Sequence, residues 1–417
     1  MLFYGKFKYK FIIDKLVSGL WIVYLLINVM SHYIIEWFGG IGNIAVVYAF
    51  LLYFLFIYGS CRNNNGYIRI LPLIIFAAIY CFIMQLIFQG TGSYYETFGI
   101  KFDSTVWNMV TFVPMIISAV LMVEKSGSEL IKWIKGVFLI SASVTIIFSV
   151  ILLLNDFSAL KVTATSSTPY YPFVFGFQTI SGFSVIAPFI LYNINNSDNR
   201  IFNIIFCVAF IFGVLMSSFF IAIIALILGI GVYLIFGIKN RILRYSLLTL
   251  LIFLIIGFSN GFINSLLLKI AEIIPMEEIS KRLQQILLFF QVGITGDTTT
   301  RFELYSTAFN LIFKHPIFGN IVWNPNVNLS GHSMIMDVWG GCGIIPVILF
   351  CVFLYSVYKY NKNNYCNSIS LKSANFASLT AFLFTIILNP LFASPNIFIF
   401  FIIAPMIFSF SSKGVDL

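Results

Sequence analysis

Apolar residues along this chain gather in runs near or above about 18 positions, long enough to cross a hydrocarbon core of about 30 Å as helices. The pattern predicts twelve such helices, over 16–35, 41–60, 68–89, 104–123, 131–154, 172–192, 201–217, 218–236, 243–259, 335–358, 374–391 and 395–412. The stretch IFNIIFCVAFIFGVLMSSFFIAIIALILGIGVYLIF has 36 residues. At about 1.5 Å per residue it would reach some 54 Å as one helix, too long for a single crossing without steep tilt. A hairpin turning at Met216, Ser217 and Ser218 is therefore expected. The last two runs are separated by NPLFASP, whose prolines and polar residues suit a tight turn at a membrane surface.

Composition agrees with this pattern. Hydrophobic residues make up 60% of the 417, charged residues 9% and aromatics 18%, with 48 Phe and a mean hydropathy of +0.99. A soluble domain carries about a quarter charged residues, so these values describe an integral membrane protein. Lysine and arginine in short loops are retained on the cytoplasmic side. With the amino terminus inside, the inward segments hold seventeen Lys and Arg, from Lys6 and Lys8 through Arg200 to Lys413, and the short outward loops hold only Lys101 and Lys161. Both termini are then cytoplasmic, and the net charge of +9 reflects topology rather than a nucleic-acid partner. Lysines before the first apolar run resemble a signal peptide, yet no small-x-small site follows before SHYIIEWFGG, so an uncleaved first helix is expected. None of the six cysteines falls in an outward loop, and neither a disulfide framework nor metal-ligand spacing is present.

One extended segment, 260–334, does not span, and the charge count puts it outside the cytoplasm. It divides the chain into helices one to nine (1–259), the loop, and helices ten to twelve with the tail (335–417). A loop this long among short connections is usually functional. Within it, MEEISKRLQQILLFFQVG spaces Ile279, Leu283, Ile286, Leu287 and Phe290 as one helical face beside Lys281 and Arg282, fit either for the membrane interface or for packing on the bundle. Farther on, Thr300 and Glu303 have capping-box spacing, which sets a helix start with Arg301 at its first position. Phe302, Tyr305, Phe309 and Ile312 form its apolar stripe, and Pro316 with Gly319 ends it. A guanidinium at a helix amino terminus suits a phosphate or pyrophosphate; the same arginine can also pair with Asp297 or Glu303 at a surface. His315, before a proline at the helix end, suits contact with the last carbonyls. His332 follows the polar run NPNVNLSG at the outer surface, where an imidazole can move a proton or be an ordinary interfacial histidine, and Asp337, about one turn later, can orient it or be a surface acid near the helix start.

The order Arg301, HPIFG, a polar segment, GHS and the glycine-bearing helix WGGCGIIPVILF resembles the O-antigen polymerase and O-antigen ligase superfamily of bacterial envelope glycan assembly. The architecture is similar over the whole chain, the motif over about 50 positions. The resemblance implies an all-α polytopic, GT-C-like fold of about twelve transmembrane helices with one large periplasmic loop, in the bacterial inner membrane. It implies a metal-independent glycosyltransferase without a cofactor, using an undecaprenyl-pyrophosphate-linked glycan as donor and a sugar hydroxyl as acceptor. Membrane lipids, a chain-length regulator and a flippase are the implied partners. Arg301 matches the arginine expected to bind the donor pyrophosphate, and His332 the histidine expected to assist the acceptor. A further arginine common in the family, after a serine at the outer end of a middle helix, is replaced here by Phe219 in MSSFFIAIIAL. The second cation then falls to Arg282, Lys281 or Lys314.

Within that chemistry a polymerase and a ligase differ only in acceptor. A flippase or other transporter is the competing class. Ion-coupled carriers keep charges at mid-membrane despite a cost of about 2.5 to 3.5 kcal/mol each on insertion scales. The centres of the twelve runs hold no Asp, Glu, Lys or Arg, and the two halves show no repeat, which favours the enzyme.

Overall fold

The computed structural model describes residues 71–88, 94–97, 100–103, 128–155, 177–196, 200–216, 220–237, 297–323, 333–389 and 395–409, with a few single positions between them. The expected spans at 16–35, 41–60, 104–123 and 243–259, the basic helix at 276–293 and His332 lie outside these segments. The described helices are α1 Leu71–Phe88, α2 Ser128–Asn155, α3 Phe177–Asn196, α4 Arg200–Met216 and α5 Phe220–Gly237. They continue with α6 Asp297–Lys314, α7 Met334–Cys342, α8 Ile344–Asn364, α9 Ile369–Leu388 and α10 Pro395–Ser409. Three of them contain stretches long and apolar enough to cross a membrane, Ile131–Leu152 in α2, Ile344–Asn364 in α8 and Ile369–Leu388 in α9, and several others are shorter apolar helices. The chain is thus a helical membrane protein. An antiparallel pair interrupts the all-helical expectation: β1 Tyr94–Thr97 runs beside β2 Ile100–Asp103, with Tyr94 opposite Asp103 and Thr97 opposite Ile100.

Two helices, α3 and α10, form the centre. Their described side chains are mostly apolar or small on all sides and almost all are buried, the pattern of a helix enclosed by other helices. Around them pack α2, α4, α5, α8 and α9, while α1 lies against α8. Without a hydrophobic drive between helices in lipid, close approach and ring packing hold the bundle. Gly229 of α5 allows such an approach, since a Cβ there would lie 3.2 Å from Ala381 Cβ of α9 and 3.4 Å from Pro188 Cγ of α3. Phenylalanines fill the rest: Phe183 lies 4.5 Å from Phe210, and Phe382 stacks on Phe401 at 4.7 Å. A few polar links join the helices, while Thr179 Oγ1 and Ser181 Oγ of α3 and Ser378 Oγ of α9 are buried without a hydrogen-bond partner. Ser184 Oγ donates to Ala222 O at 2.7 Å, joining α3 to α5. Where α2 begins, Lys135 Nζ donates to Asn193 Oδ1 at 3.2 Å, and Asn193 Nδ2 donates to Asn203 Oδ1 at 2.8 Å, drawing one end of α2, α3 and α4 together.

Where the hairpin is expected there are two separate helices, α4 ending at Met216 and α5 starting at Phe220, and the turn residues Ser217 and Ser218 lie outside the described residues. The expected single helix over 335–358 is not present. It breaks at Gly343, whose φ of +87° ends α7 and whose successor starts α8. Positive φ is the region glycine reaches without steric cost, so GGCG is a hinge between two helices rather than part of one. Pro346 falls in the first turn of α8, where a missing N–H is harmless.

Candidate functional site

Helix α6 starts at Asp297, three residues before the expected cap at Thr300. Thr300 is therefore inside the helix, and Arg301 is its fifth residue rather than its first. This weakens one sequence argument, because the free N–H groups of a helix lie in its first turn. The buried face of α6 is Ala308 and Ile312, with Tyr305 half-buried beside them; Phe309, expected on that stripe, is exposed. Tyr305 Oη donates to Leu388 O at 2.8 Å and fastens α6 to the end of α9.

Beyond Lys314, the HPIFGN segment is locked onto the WGGCG segment by backbone. Asn320 N–H donates to Gly340 O at 2.9 Å, Ile321 N–H to Gly341 O at 3.2 Å and Ile344 N–H to Pro316 O at 3.1 Å. Trp339 Nε1 also donates to Pro316 O at 3.0 Å, and the Asn320 side-chain amide donates to Leu311 O at 2.6 Å and Gly340 O at 2.8 Å. Such contact needs bare backbone on both sides. Gly319 has φ +77°, and a Cβ on it would lie 2.0 Å from Gly341 O; a Cβ on Gly343 would lie 2.0 Å from Ile317 O. His315 closes the outer edge of this lock by stacking on Trp323, ring centroids 5.1 Å apart, in place of the carbonyl contact expected for it.

Asp337 is neither a surface acid nor open to solvent: it is 2% exposed. Its Oδ2 accepts from the backbone N–H of Ser333 at 3.1 Å, while Ser333 Oγ accepts from Met336 N–H at 3.2 Å. Ser333 is the N-cap of α7. A capped helix with a carboxylate in its first turn has a firmly set start, in keeping with the positive end of the helix dipole. The residue so held adjoins His332 in the chain.

These pieces converge. Tyr305, one turn after Arg301, bonds Leu388 O; Met334, two residues after His332, donates its N–H to Asn389 O at 3.0 Å. Neighbouring carbonyls at the end of α9 thus anchor the described neighbours of both candidate residues. Lys314 is not brought there. It lies thirteen residues from Arg301 on the same helix, about 20 Å along the axis. Lys281 and Arg282 lie outside the described residues. The sequence reading did not find Tyr305 Oη, Asn320, Ser333 or Asn389 as the atoms that assemble this end of the bundle. The available signal was the pair of glycine-bearing segments, HPIFGN and WGGCG, each with bare backbone to offer. No family model matches the chain, and no curated protein matches it.

Proposed function

We propose that the protein is a polysaccharide polymerase: a glycosyltransferase that joins undecaprenyl-pyrophosphate-linked repeat units of an O-antigen or capsule at the periplasmic face of the bacterial inner membrane. In this reading the chain crosses twelve times in a GT-C-like arrangement with both termini in the cytoplasm, and 260–334 is the periplasmic loop. The observation that carries it is the convergence of Tyr305 and Met334 on Leu388 O and Asn389 O, which supports Arg301 and His332 acting at one locus at a helix end.

In the reaction an acceptor hydroxyl oxygen bonds to the donor's anomeric carbon as the bond from that carbon to the pyrophosphate oxygen breaks. The hydroxyl proton passes to the His332 imidazole, and the electron pair leaves with the pyrophosphate, whose charge Arg301 stabilises. A direct displacement inverts the anomeric centre. The second cation is Lys281 or Arg282, since Lys314 is about 20 Å along α6 from Arg301. The surface glycan profile of a deletion strain tests this, complemented with wild type, His332→Ala or Arg301→Ala after each protein is shown to reach the membrane. A core carrying a single repeat in the deletion and both variants is the expected result. Polymerised glycan accumulating on its lipid carrier without attachment means a ligase, and normal long chains from both variants overturn the site.

A further inference from the structure

On α6 the side chains divide into three sectors. At about 100° per residue, Tyr305, Ala308 and Ile312 face the bundle, Phe309 and Phe313 lie side by side on the next sector, and Glu303, Thr307, Asn310 and Lys314 occupy the one beyond. The middle sector is bare. Phe313 is 79% exposed, and past Pro316 the same row continues in Ile317 at 56% and Phe318 at 53%. A helix with separate protein, apolar and polar sides has the form of one lying in a membrane interface.

Depth agrees. Helix α9 has 20 residues, about 30 Å, so Leu388 marks one boundary of the hydrocarbon. Asn375 Nδ2 donates to Tyr358 O at 3.4 Å, and from that level Ile344 lies fourteen residues back along α8 and Leu388 thirteen residues on along α9, so Ile344 and the Pro316 carbonyl it bonds lie at about the level of the end of α9. Non-helical backbone at the edge of the hydrocarbon is stable where its polar groups are bonded. In this turn His315 O, Pro316 O and the N–H groups of Gly319, Asn320 and Ile321 have partners. The row also continues an existing lipid-facing surface. Ile344 N–H binds Pro316 O, and Ile348, Val352 and Tyr355 of α8 follow below it, all exposed.

We propose that the second half of α6 and the HPIFGN turn form an anchor seated in the adjoining leaflet, with Phe313, Ile317 and Phe318 against lipid acyl chains and the Glu303–Thr307–Lys314 side in water. The occupant is lipid, not a second copy or another protein. This holds whatever Arg301 binds, and it fixes α6 at headgroup height.

The test is nitroxide accessibility in lipid nanodiscs, with labels on Phe313→Cys, Ile317→Cys and Thr307→Cys in a full-length background where Cys61 and Cys351 are replaced by Ser. Collision with oxygen relative to a water-soluble nickel chelate is expected to be several-fold higher at 313 and 317 than at 307. Preferential collision with the nickel chelate at 313 and 317 overturns the proposal, as does shielding of both from both reagents, which means protein covers the row. Two labels on exposed side chains keep the outcome decisive if one variant folds poorly.

Discussion

Asp337 illustrates how a residue can be recognised in sequence while its work is not. Its spacing from His332 suggests an orienting acid, and the structure gives it a buried carboxylate that accepts from Ser333 N–H, the residue joined to His332. Removing that acceptor leaves a buried N–H without this bond, a loss of about 1–3 kcal/mol. Asp337→Ala is therefore expected to lower thermal stability and, with it, the proposed glycan polymerisation, while Asp337→Asn, which keeps a carbonyl acceptor, retains most of the stability; equal melting temperatures for wild type and Asp337→Ala would refute the role. Cys366, between α8 and α9, makes a pH prediction. Burial pushes its thiol up to about 12, against the opposing pull of Lys372 and Lys362. The folded chain thus holds this proton more tightly than the unfolded one, whose thiol titrates near 9. The resulting stability is complete below about pH 9 and is lost as pH rises toward 12. Cys366→Ala is expected to flatten that alkaline decline in thermal melts, and a polar maleimide at neutral pH is expected to leave Cys366 unmodified in the native protein.

Among elements, the lock between HPIFGN and WGGCG depends on two glycines that no Cβ can replace. Gly319→Ala and Gly343→Ala each combine a positive φ with a backbone contact of 2.0 Å, and each is expected to cost more than about 2 kcal/mol. Gly136→Ala in α2 is the control. Its Cβ would meet nothing within 4 Å, so stability should stay within about 1 kcal/mol and change in the favourable direction. Detergent-solubilised melts that rank the three alike would show that the lock is not a structural requirement. The same glycines explain what hydropathy missed. Residues 335–358 are apolar enough to read as one span, and an apolarity average does not register a single residue with φ +87°. The break after Met216 was legible because one crossing there would need steep tilt, whereas the start of α6 was not, since Thr300 and Glu303 have capping-box spacing wherever the helix begins. Spacing also could not tell Phe309, on the bare sector, from Ile312, because both fall within one apolar arc until a partner surface divides it.

For the molecule as a whole, seventeen basic residues against two set the expected orientation, and the arrangement of helices supplies an independent constraint on it. Lys135, Asn193 and Asn203 are hydrogen-bonded in series, so the start of α2, the end of α3 and the start of α4 share one side. Pro188, Gly229 and Ala381 meet at one level, and Ser184 Oγ binds Ala222 O nearer the starts of α3 and α5, which therefore run parallel. Alkaline phosphatase is active only outside the cytoplasm, so fusions at the ends of successive helices read this pattern directly. Activity is expected at junctions after Asn155, Met216 and Asn389, and none after Asn196, Gly237 and Asn364. The decisive junction is Met216. If it were inactive with its neighbours unchanged, α4 and α5 would form no crossing pair and the hairpin would lie on the cytoplasmic side. If every sign were reversed, α6 and its arginine would face the cytoplasm, where the proposed chemistry on an outward-facing carrier could not occur. The alternating pattern thus tests topology and mechanism in one series, because a polymerase at the outer face requires the end of α9 that holds Tyr305 and Met334 to lie outside.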